Sequence, residues 1–256
     1  MYTLYNEIDN NQWAHFKHIS SIGDLSYREF PSYSYIASGI GSWGNAIFNL
    51  QETSAETICE IKEKIIAKEI PNGIITSLCS SMDCWDDKLI PYGFERLHTN
   101  DGMALHIRTH SKYKTPEKLI IRRCTDEKMF LDWSRIANNF LFNCSNEDFI
   151  SRFAKLIFTV YTKSDYTAFV GYVDDVPVAS SACFINNGTG GIYLVAVHTE
   201  HRNQGYGTSI TDACLEYGVN NGVYNYILHA SEMGKYTYIK LGFESLGKRS
   251  RYRLNI

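Results

Sequence analysis

The stretch that decides the fold reads Leu194-Val195-Ala196-Val197, then His201-Arg202-Asn203-Gln204-Gly205-Tyr206-Gly207-Thr208, and then a segment with helical spacing. An apolar strand therefore runs into an R-x-x-G-x-G turn that opens a helix. The two glycines let the backbone approach a ligand without Cβ clashes, and successive N–H groups in such a turn form an anion nest. The following helix directs its positive end to the same place, so we interpret the turn as a pyrophosphate site. No lysine follows the glycines, which distinguishes it from the P-loop of nucleoside triphosphatases.

A second motif, Tyr238-Ile239-Lys240-Leu241-Gly242-Phe243, follows about 30 residues after the glycines. In this order and spacing, the strand, the turn and the second motif resemble the GNAT superfamily of acetyl-CoA-dependent N-acetyltransferases. The resemblance covers roughly residues 118–256. It implies an α+β fold with a mixed, mostly antiparallel sheet flanked by helices, and it implies acetyl-CoA as the cosubstrate.

The resemblance also implies which residues bind the coenzyme. Val195, Ala196 and Val197 would pair with the pantetheine arm like an added strand, and the N–H of Val197 can stabilise the oxygen of the tetrahedral intermediate. The pyrophosphate would bind to the turn, formed by Arg202, Asn203, Gln204, Gly205, Tyr206, Gly207 and Thr208. Many family members have an asparagine at the position of Ser231, whose hydroxyl can still bond the pantetheine. The alternative is that Ser231 only caps a helix.

Tyr238 is implied as the general acid that protonates the departing thiolate. A phenol stays protonated at pH 7 and can give its proton to a thiolate of comparable basicity. The alternative is that Tyr238 is a helix residue that packs on the sheet. Cys214, on the apolar face of the helix after the glycines, is expected to be a core residue.

The general base is not identified by the sequence. Some family members carry a glutamate where this chain has Tyr226, which is not a base at neutral pH. His198 can act as a base through water, whereas His201 is expected to support the loop. His198-x-x-His201 lacks a third ligand, so we predict no metal site. Direct attack by a neutral amine, or deprotonation through ordered water, remains open.

Composition limits the class of protein. The chain has 256 residues, 44% of them hydrophobic, which suffices for one large or two small packed domains. A net charge of −3 argues against nucleic-acid binding through phosphate neutralisation. We find no apolar run long enough for a membrane span and no signal peptide at the start. The seven cysteines form no C-x-x-C pair, which indicates reduced thiols in a cytoplasmic protein.

The N-terminal half resembles a degenerate copy of the C-terminal half. Leu89-Ile90-Pro91-Tyr92-Gly93-Phe94-Glu95 is similar to Tyr238-Ile239-Lys240-Leu241-Gly242-Phe243-Glu244, and an alternating stretch begins ten residues after each glycine. A helix at 54–69 precedes a strand, but no R-x-x-G-x-G precedes that helix. We therefore predict a degenerate GNAT-like domain at 1–112, a linker at 113–117 within the polar stretch 110–117, and an acetyl-CoA-binding domain at 118–256.

The stretch Gly39-Ile40-Gly41-Ser42-Trp43-Gly44 matches G-x-G-x-x-G. A dinucleotide site needs a helix that opens at the last glycine. Ala46-Ile47-Phe48 follows instead, and the first helix is predicted to begin near Ser54. A glycine-rich hairpin is therefore the preferred interpretation over a cofactor loop.

In the C-terminal half, helices are predicted at 126–141 and after a cap at Ser145, and strands at 166–172, 176–185 and 191–198. The leading hypothesis is a cytoplasmic acyltransferase that moves an acetyl group from acetyl-CoA to a primary amine. The amine belongs to a small molecule or a peptide that the sequence does not identify. We predict a monomer or homodimer with no nucleic-acid or membrane partner. The alternative is a non-catalytic acyl-CoA-binding module.

Overall fold

The computed structural model describes residues 2–23, 25–39, 44–80, 84–109, 111–162 and 165–256. Its contacts divide the chain into two compact units. Unit 1 comprises Met1–Met103, Ala230–Met233 and Ser245–Ile256, and unit 2 comprises Ala104–His229 and Gly234–Glu244. Residues 40–43 of the G-x-G-x-x-G match and residue 110 of the polar stretch lie outside the described residues. The domain boundaries at 1–112, 113–117 and 118–256 stay a prediction.

The helices and strands of the described chain follow one another in this order: α1 (Tyr2–Gly23), β1 (Ser26–Glu29), β2 (Ser34–Ala37), β3 (Asn45–Phe48), α2 (Ala55–Ile66), β4 (Ile74–Ile75), α3 (Asp86–Leu89), β5 (Phe94–His106), β6 (Ile120–Arg123), α4 (Glu127–Leu141), α5 (Glu147–Tyr161), β7 (Tyr166–Val173), β8 (Val176–Asn186), β9 (Thr189–Val197), α6 (Tyr206–Asn220), β10 (Asn225–Ala230), α7 (Lys235–Ile239) and β11 (Glu244–Leu254).

Unit 1 is built on a sheet in the order β1-β2-β3-β4-β11-β5. Strands β1, β2 and β3 are antiparallel neighbours, β3 and β4 are parallel, and β4 pairs antiparallel with β11. The apolar stripe of α2, which contains Ile58, Ile61 and Ile65, packs with Tyr252 and Leu254 of β11 in one buried cluster. The last strand of the chain is therefore part of the core of unit 1.

The start of the chain differs from the prediction. The first helix was expected near Ser54, and Ser54 does cap α2, because its side chain accepts a hydrogen bond from the N–H of Thr57. However, the 22-residue helix α1 precedes it. The predicted similarity between the two halves has a structural counterpart, since Gly93 and Gly242 have φ angles of 93° and 91° and each precedes a long strand, β5 or β11.

Unit 2 is built on a sheet in the order β10-β9-β8-β7-β6, in which only β10 is parallel to its neighbour. Helices α4 and α6 both pack on β8 and β9. Asp126 caps α4 and Asn146 caps α5, each through a 2.9 Å hydrogen bond to a backbone N–H of the first turn. The cap of α5 was expected at Ser145, so that prediction was wrong by one residue.

The predicted α+β class is confirmed, since each unit has a mixed sheet with helices on it. One prediction about the cysteines was wrong, because the structure pairs Cys79 with Cys84 in a disulfide. Their separation of five residues matches no C-x-x-C spacing, which is why the sequence pattern did not indicate it. Within the described residues, no helix is long and apolar enough to cross a membrane.

Candidate active site

Strand β9 contains a bulge in the middle of the segment that decided the fold. Ala182 pairs with Tyr193 and Ser180 with Ala196, so Leu194 and Val195 together face the single residue Ser181. Leu194 has a φ of 54°, which is unusual for a residue with a side chain. A bulge of this kind bends the strand and changes where its backbone groups point.

Three polar contacts hold the bulge. The hydroxyl of Ser180 donates to the carbonyl of Leu194 at 3.0 Å. The indole N–H of Trp133 in α4 donates to the carbonyl of Ser181 at 2.9 Å, and the hydroxyl of Ser181 donates to the carbonyl of Ile210 in α6 at 2.8 Å. Sequence reasoning missed these residues, because serines inside an apolar strand carry no pattern that reveals their partners.

Strands β9 and β10 separate beside the bulge. Their parallel pairing runs from Thr189↔Asn225 to Ile192↔Leu228, and β9 then continues for five residues to Val197. Within the described residues, no strand pairs with these five residues on the β10 side. The separation leaves an open edge that can take an extended ligand as an added strand.

The N–H of Val197 points to this open edge. The N–H of the next residue, His198, donates to the carbonyl of Val178 on β8 at 2.8 Å. Backbone groups alternate in direction along an antiparallel strand, so the N–H and C=O of Val197 face away from β8. The carbonyl accepts a 3.2 Å hydrogen bond from Nε of Arg202, which leaves the N–H available.

The R-x-x-G-x-G turn has the backbone of an anion site. Asn203 has a φ of 60° and Gly205 a φ of 82°, so the chain uses left-handed conformations to enter α6. The first intrahelical bond joins the N–H of Ser209 to the carbonyl of Gly205 at 3.0 Å, and no side chain caps the helix. The N–H groups of the first turn of α6 therefore lack intrahelical acceptors and can bind an anion.

Gly207 lies where three predicted segments of the site meet. A Cβ atom at Gly207 would lie 3.5 Å from Cγ2 of Thr237 in α7 and 3.7 Å from Cγ2 of Val197 at the end of β9. The open edge, the turn and the helix of Tyr238 thus converge in unit 2.

Tyr238 is nearly buried in α7, at 8% exposure, and its ring contacts that of Phe243. Its hydroxyl makes no hydrogen bond to any residue that the structure describes, so it remains a free donor. Burial raises the pKa of Tyr238 above its ordinary value of 10.0, with a smaller contribution from Cys214. The phenol is therefore protonated at neutral pH, as a general acid requires.

The remaining candidates differ in how far their side chains are exposed. Asn203 and Gln204 are exposed in the turn, whereas the side chains of Tyr206 and Thr208 are buried and leave only their backbone for a ligand. Val195 is half-buried and Ala196 is buried in β9. Ser231 directly follows β10, is exposed, and belongs by its contacts to unit 1.

Neither His198 nor Tyr226 is in a state to act as the general base. Nδ1 of His198 accepts a 3.3 Å hydrogen bond from the N–H of Glu200. In the neutral ring the proton is therefore on Nε2, and a protonated ring nitrogen cannot take a proton from the amine. The ring of His198 contacts Phe140 and His201. The hydroxyl of Tyr226 donates to the carbonyls of Leu215 and Val223 at 2.9 Å, and burial raises its pKa.

Cys214 is fully buried, and its Sγ lies 3.2 Å from the hydroxyl of Ser181. Burial raises its pKa from 9.0 to about 12, so the thiol is not a nucleophile at neutral pH. Among the described residues, no group of three or more His, Cys, Asp or Glu side chains is arranged to hold a metal ion.

Comparisons with known proteins identify the family and the fold that this chain resembles. Residues 130–243 match the family model of the acetyltransferase (GNAT) family. The structure is similar to a GCN5-related N-acetyltransferase from Kribbella flavida, with a TM-score of 0.71 and 14% identity over 97% of this chain and 95% of that one. It is also similar to a tandem GNAT protein from the clavulanic acid biosynthesis pathway, with a TM-score of 0.61 and 12% identity over 86% and 77% of the two chains. Comparison with curated protein sequences finds no match.

The likeness to solved structures covers nearly the whole chain and confirms the α+β fold, with a mostly antiparallel sheet flanked by helices. The family model begins in α4 and ends after α7, so it includes the bulge, the open edge and the glycine turn. Members of the family use acetyl-CoA as a cosubstrate. Residues 130–243 of this chain form a GNAT-family acetyltransferase domain.

Proposed function

We propose that the protein transfers an acetyl group from acetyl-CoA to a primary amine. The observation that carries the proposal is the convergence at Gly207 of the open edge of β9, the start of α6 and the helix of Tyr238. Acetyl-CoA supplies the acetyl group as an activated thioester, and its pantetheine arm and pyrophosphate are the kinds of group that an extended edge followed by an anion nest can bind.

Each segment would hold a different part of the coenzyme. The backbone of Val195, Ala196 and Val197 would pair with the pantetheine arm along the open edge of β9. The N–H groups from Asn203 to Thr208 would donate to the pyrophosphate, whose charge the positive end of α6 stabilises. Ser231 would donate one hydroxyl bond to the pantetheine.

Two groups would act on the reacting atoms. The N–H of Val197 would donate to the acetyl oxygen as negative charge develops there. The hydroxyl of Tyr238 would give its proton to the sulfur that leaves. Its raised pKa makes complete proton transfer less favourable, so donation of a strong hydrogen bond to the departing sulfur is the main expected effect.

The amine would attack in its neutral form, without a side-chain base at Tyr226 or His198. The acceptor Nδ1 of His198 is already bonded to the N–H of Glu200, and Tyr226 is a protonated phenol whose pKa is raised by burial. We also propose a cytoplasmic location and a monomeric or homodimeric state. The N-terminal half would be a degenerate GNAT-like domain that binds no coenzyme, because it lacks the R-x-x-G-x-G turn.

The test combines binding with turnover. Calorimetry with acetyl-CoA measures binding, and release of the free thiol across a panel of amines measures transfer. Binding together with amine-dependent thiol release is the expected result. Binding without release on any amine would favour the non-catalytic acyl-CoA-binding module, and absence of binding would contradict both.

A further inference from the structure

Residues 112–116, part of the predicted linker region, are fastened along α6 in unit 2, and we call this segment the strap. Nζ of Lys112 lies 2.9 Å from a carboxylate oxygen of Glu216. The backbone N–H of Tyr113 donates to Oδ2 of Asp212 at 2.9 Å. Asp212 is 4% exposed, so the strap is held by a buried carboxylate as well as by an exposed ion pair.

The strap reaches the glycine turn at the start of α6. A Cβ atom built on Gly205 would lie 3.5 Å from Cγ of Pro116 and 3.8 Å from the hydroxyl oxygen of Tyr113. The Tyr113 hydroxyl makes no hydrogen bond to the described part of the chain. A free O–H donor therefore lies beside Gly205 of the turn.

We propose that the hydroxyl of Tyr113 is a further coenzyme-binding group that donates a hydrogen bond to the pyrophosphate. The inference rests on the proposed function, because it places acetyl-CoA at the turn. The match of residues 130–243 to the GNAT family model supports a coenzyme there independently of the helix end. Tyr113 lies outside the residues that the family model matches.

The contacts of the strap explain how the side chain of Tyr113 can contribute to coenzyme binding. A hydrogen bond to a charged oxygen is stronger than one between neutral groups. Its net benefit falls if the donor must first be ordered. Asp212 and Glu216 fix the strap before the coenzyme arrives, so less ordering remains to be done.

The test is Tyr113→Phe, which removes only the hydroxyl. Dissociation constants are measured for acetyl-CoA, for its 3′-dephospho form and for S-acetylpantetheine, which lacks the pyrophosphate and the 3′-phosphoadenosine. We expect about tenfold weaker binding of the first two ligands, as for one hydrogen bond to a charged group, and no change for the third. Tyr224→Phe is the matched control, because Tyr224 is an exposed tyrosine just beyond the other end of α6.

Each other outcome overturns the inference. Unchanged binding of acetyl-CoA by Tyr113→Phe would show that the hydroxyl only lies nearby. Weaker binding of acetyl-CoA but not of its 3′-dephospho form would assign Tyr113 to the 3′-phosphate. An equal loss for all three ligands, or a lowered Tm, would indicate a structural role. If the wild-type protein binds none of the ligands, the proposed function itself fails.

Discussion

Nε of Arg202 donates a 3.2 Å hydrogen bond to the carbonyl of Val197, so the first residue of the turn is tied to the last residue of β9. That carbonyl lies on the open edge of the strand, next to the N–H proposed to act on the acetyl oxygen. One side chain thus fixes the spacing between the extended edge and the anion nest. A ligand that spans both would meet them without rearrangement.

Arg202→Lys should weaken acetyl-CoA binding by about tenfold. Lysine keeps the charge but lacks the Nε–H that reaches Val197, so the hydrogen bond between the turn and the end of β9 is lost. Calorimetry measures the change, and Arg253→Lys is the control, because Arg253 pairs with Glu95 in unit 1. A dissociation constant within twofold of wild type would show that this hydrogen bond does not contribute to coenzyme binding.

Gly205→Val should abolish acetyl-CoA binding. A Cβ atom at this position would already lie 3.5 Å from Cγ of Pro116, so the larger valine side chain would push against residues 112–116 beside the turn, and the φ of 82° strains any β-branched residue. Gly222→Val is the matched control, since Gly222 has a φ of 77° with nothing within 4 Å and carries the same strain just after α6. If both variants bind like wild type, the turn does not hold the coenzyme.

Tyr238→Phe should lower turnover by about 10²- to 10⁴-fold, the usual loss for a general acid, and leave acetyl-CoA binding nearly unchanged. The ring and its contact with Phe243 remain. If binding weakens while kcat stays level, the hydroxyl holds the coenzyme instead. Turnover within about threefold of wild type would remove Tyr238 from the chemical step.

The rate should not fall between pH 8 and pH 10 through loss of the Tyr238 proton. The protonated phenol is the active form, and it is lost as pH rises through the pKa in the folded protein. Burial raises that pKa above 10.0, so the loss occurs above pH 10. A basic limb below pH 10 that disappears in Tyr238→Phe would contradict this assignment.

His198→Asn should leave the acid limb of the pH–rate profile in place. Asparagine can accept the N–H of Glu200 as Nδ1 of His198 does, so the turn after β9 is kept. Loss of the acid limb together with a large fall in rate would restore His198 as the base. A small change in rate with an unaltered profile is the expected result.

The fragment 118–256 should be insoluble when produced alone. It contains β11 but not β4, which pairs with β11 through Ile75↔Arg251 and Ile74↔Tyr252. Tyr252 and Leu254, at 0% and 2% exposure, would lose the apolar cluster that covers them. Light scattering and size-exclusion chromatography of the fragment measure the outcome. A soluble, monomeric fragment with full acetyl-CoA turnover would refute the prediction.

The site motifs could be predicted because their residues are constrained by backbone geometry. Gly205 of the turn, Gly93 and Gly242 adopt positive φ angles, which favour glycine and therefore leave a trace in the sequence. The bulge at Leu194 could not be predicted, since it is set by Trp133, Ser180 and Ser181 from other elements.

Helix α1 was missed for a different reason. Its buried face follows helical spacing through Ile8, Asn11, Gln12, His15 and Phe16. Three of these five positions are polar, so the apolar periodicity that reveals a helix is hidden. Tertiary packing, and not the hydrophobic pattern, stabilises that segment.

The position of strand β11 at the end of the chain determines when unit 1 can fold during synthesis. A ribosome delivers residues 1–103 first, yet their sheet lacks the strand beside β4 until residues 245–254 have emerged. Most multidomain chains can complete their N-terminal domain during translation. Here unit 1 must wait for almost the whole polypeptide, so a nascent chain stalled before residue 245 would carry an unfinished N-terminal core.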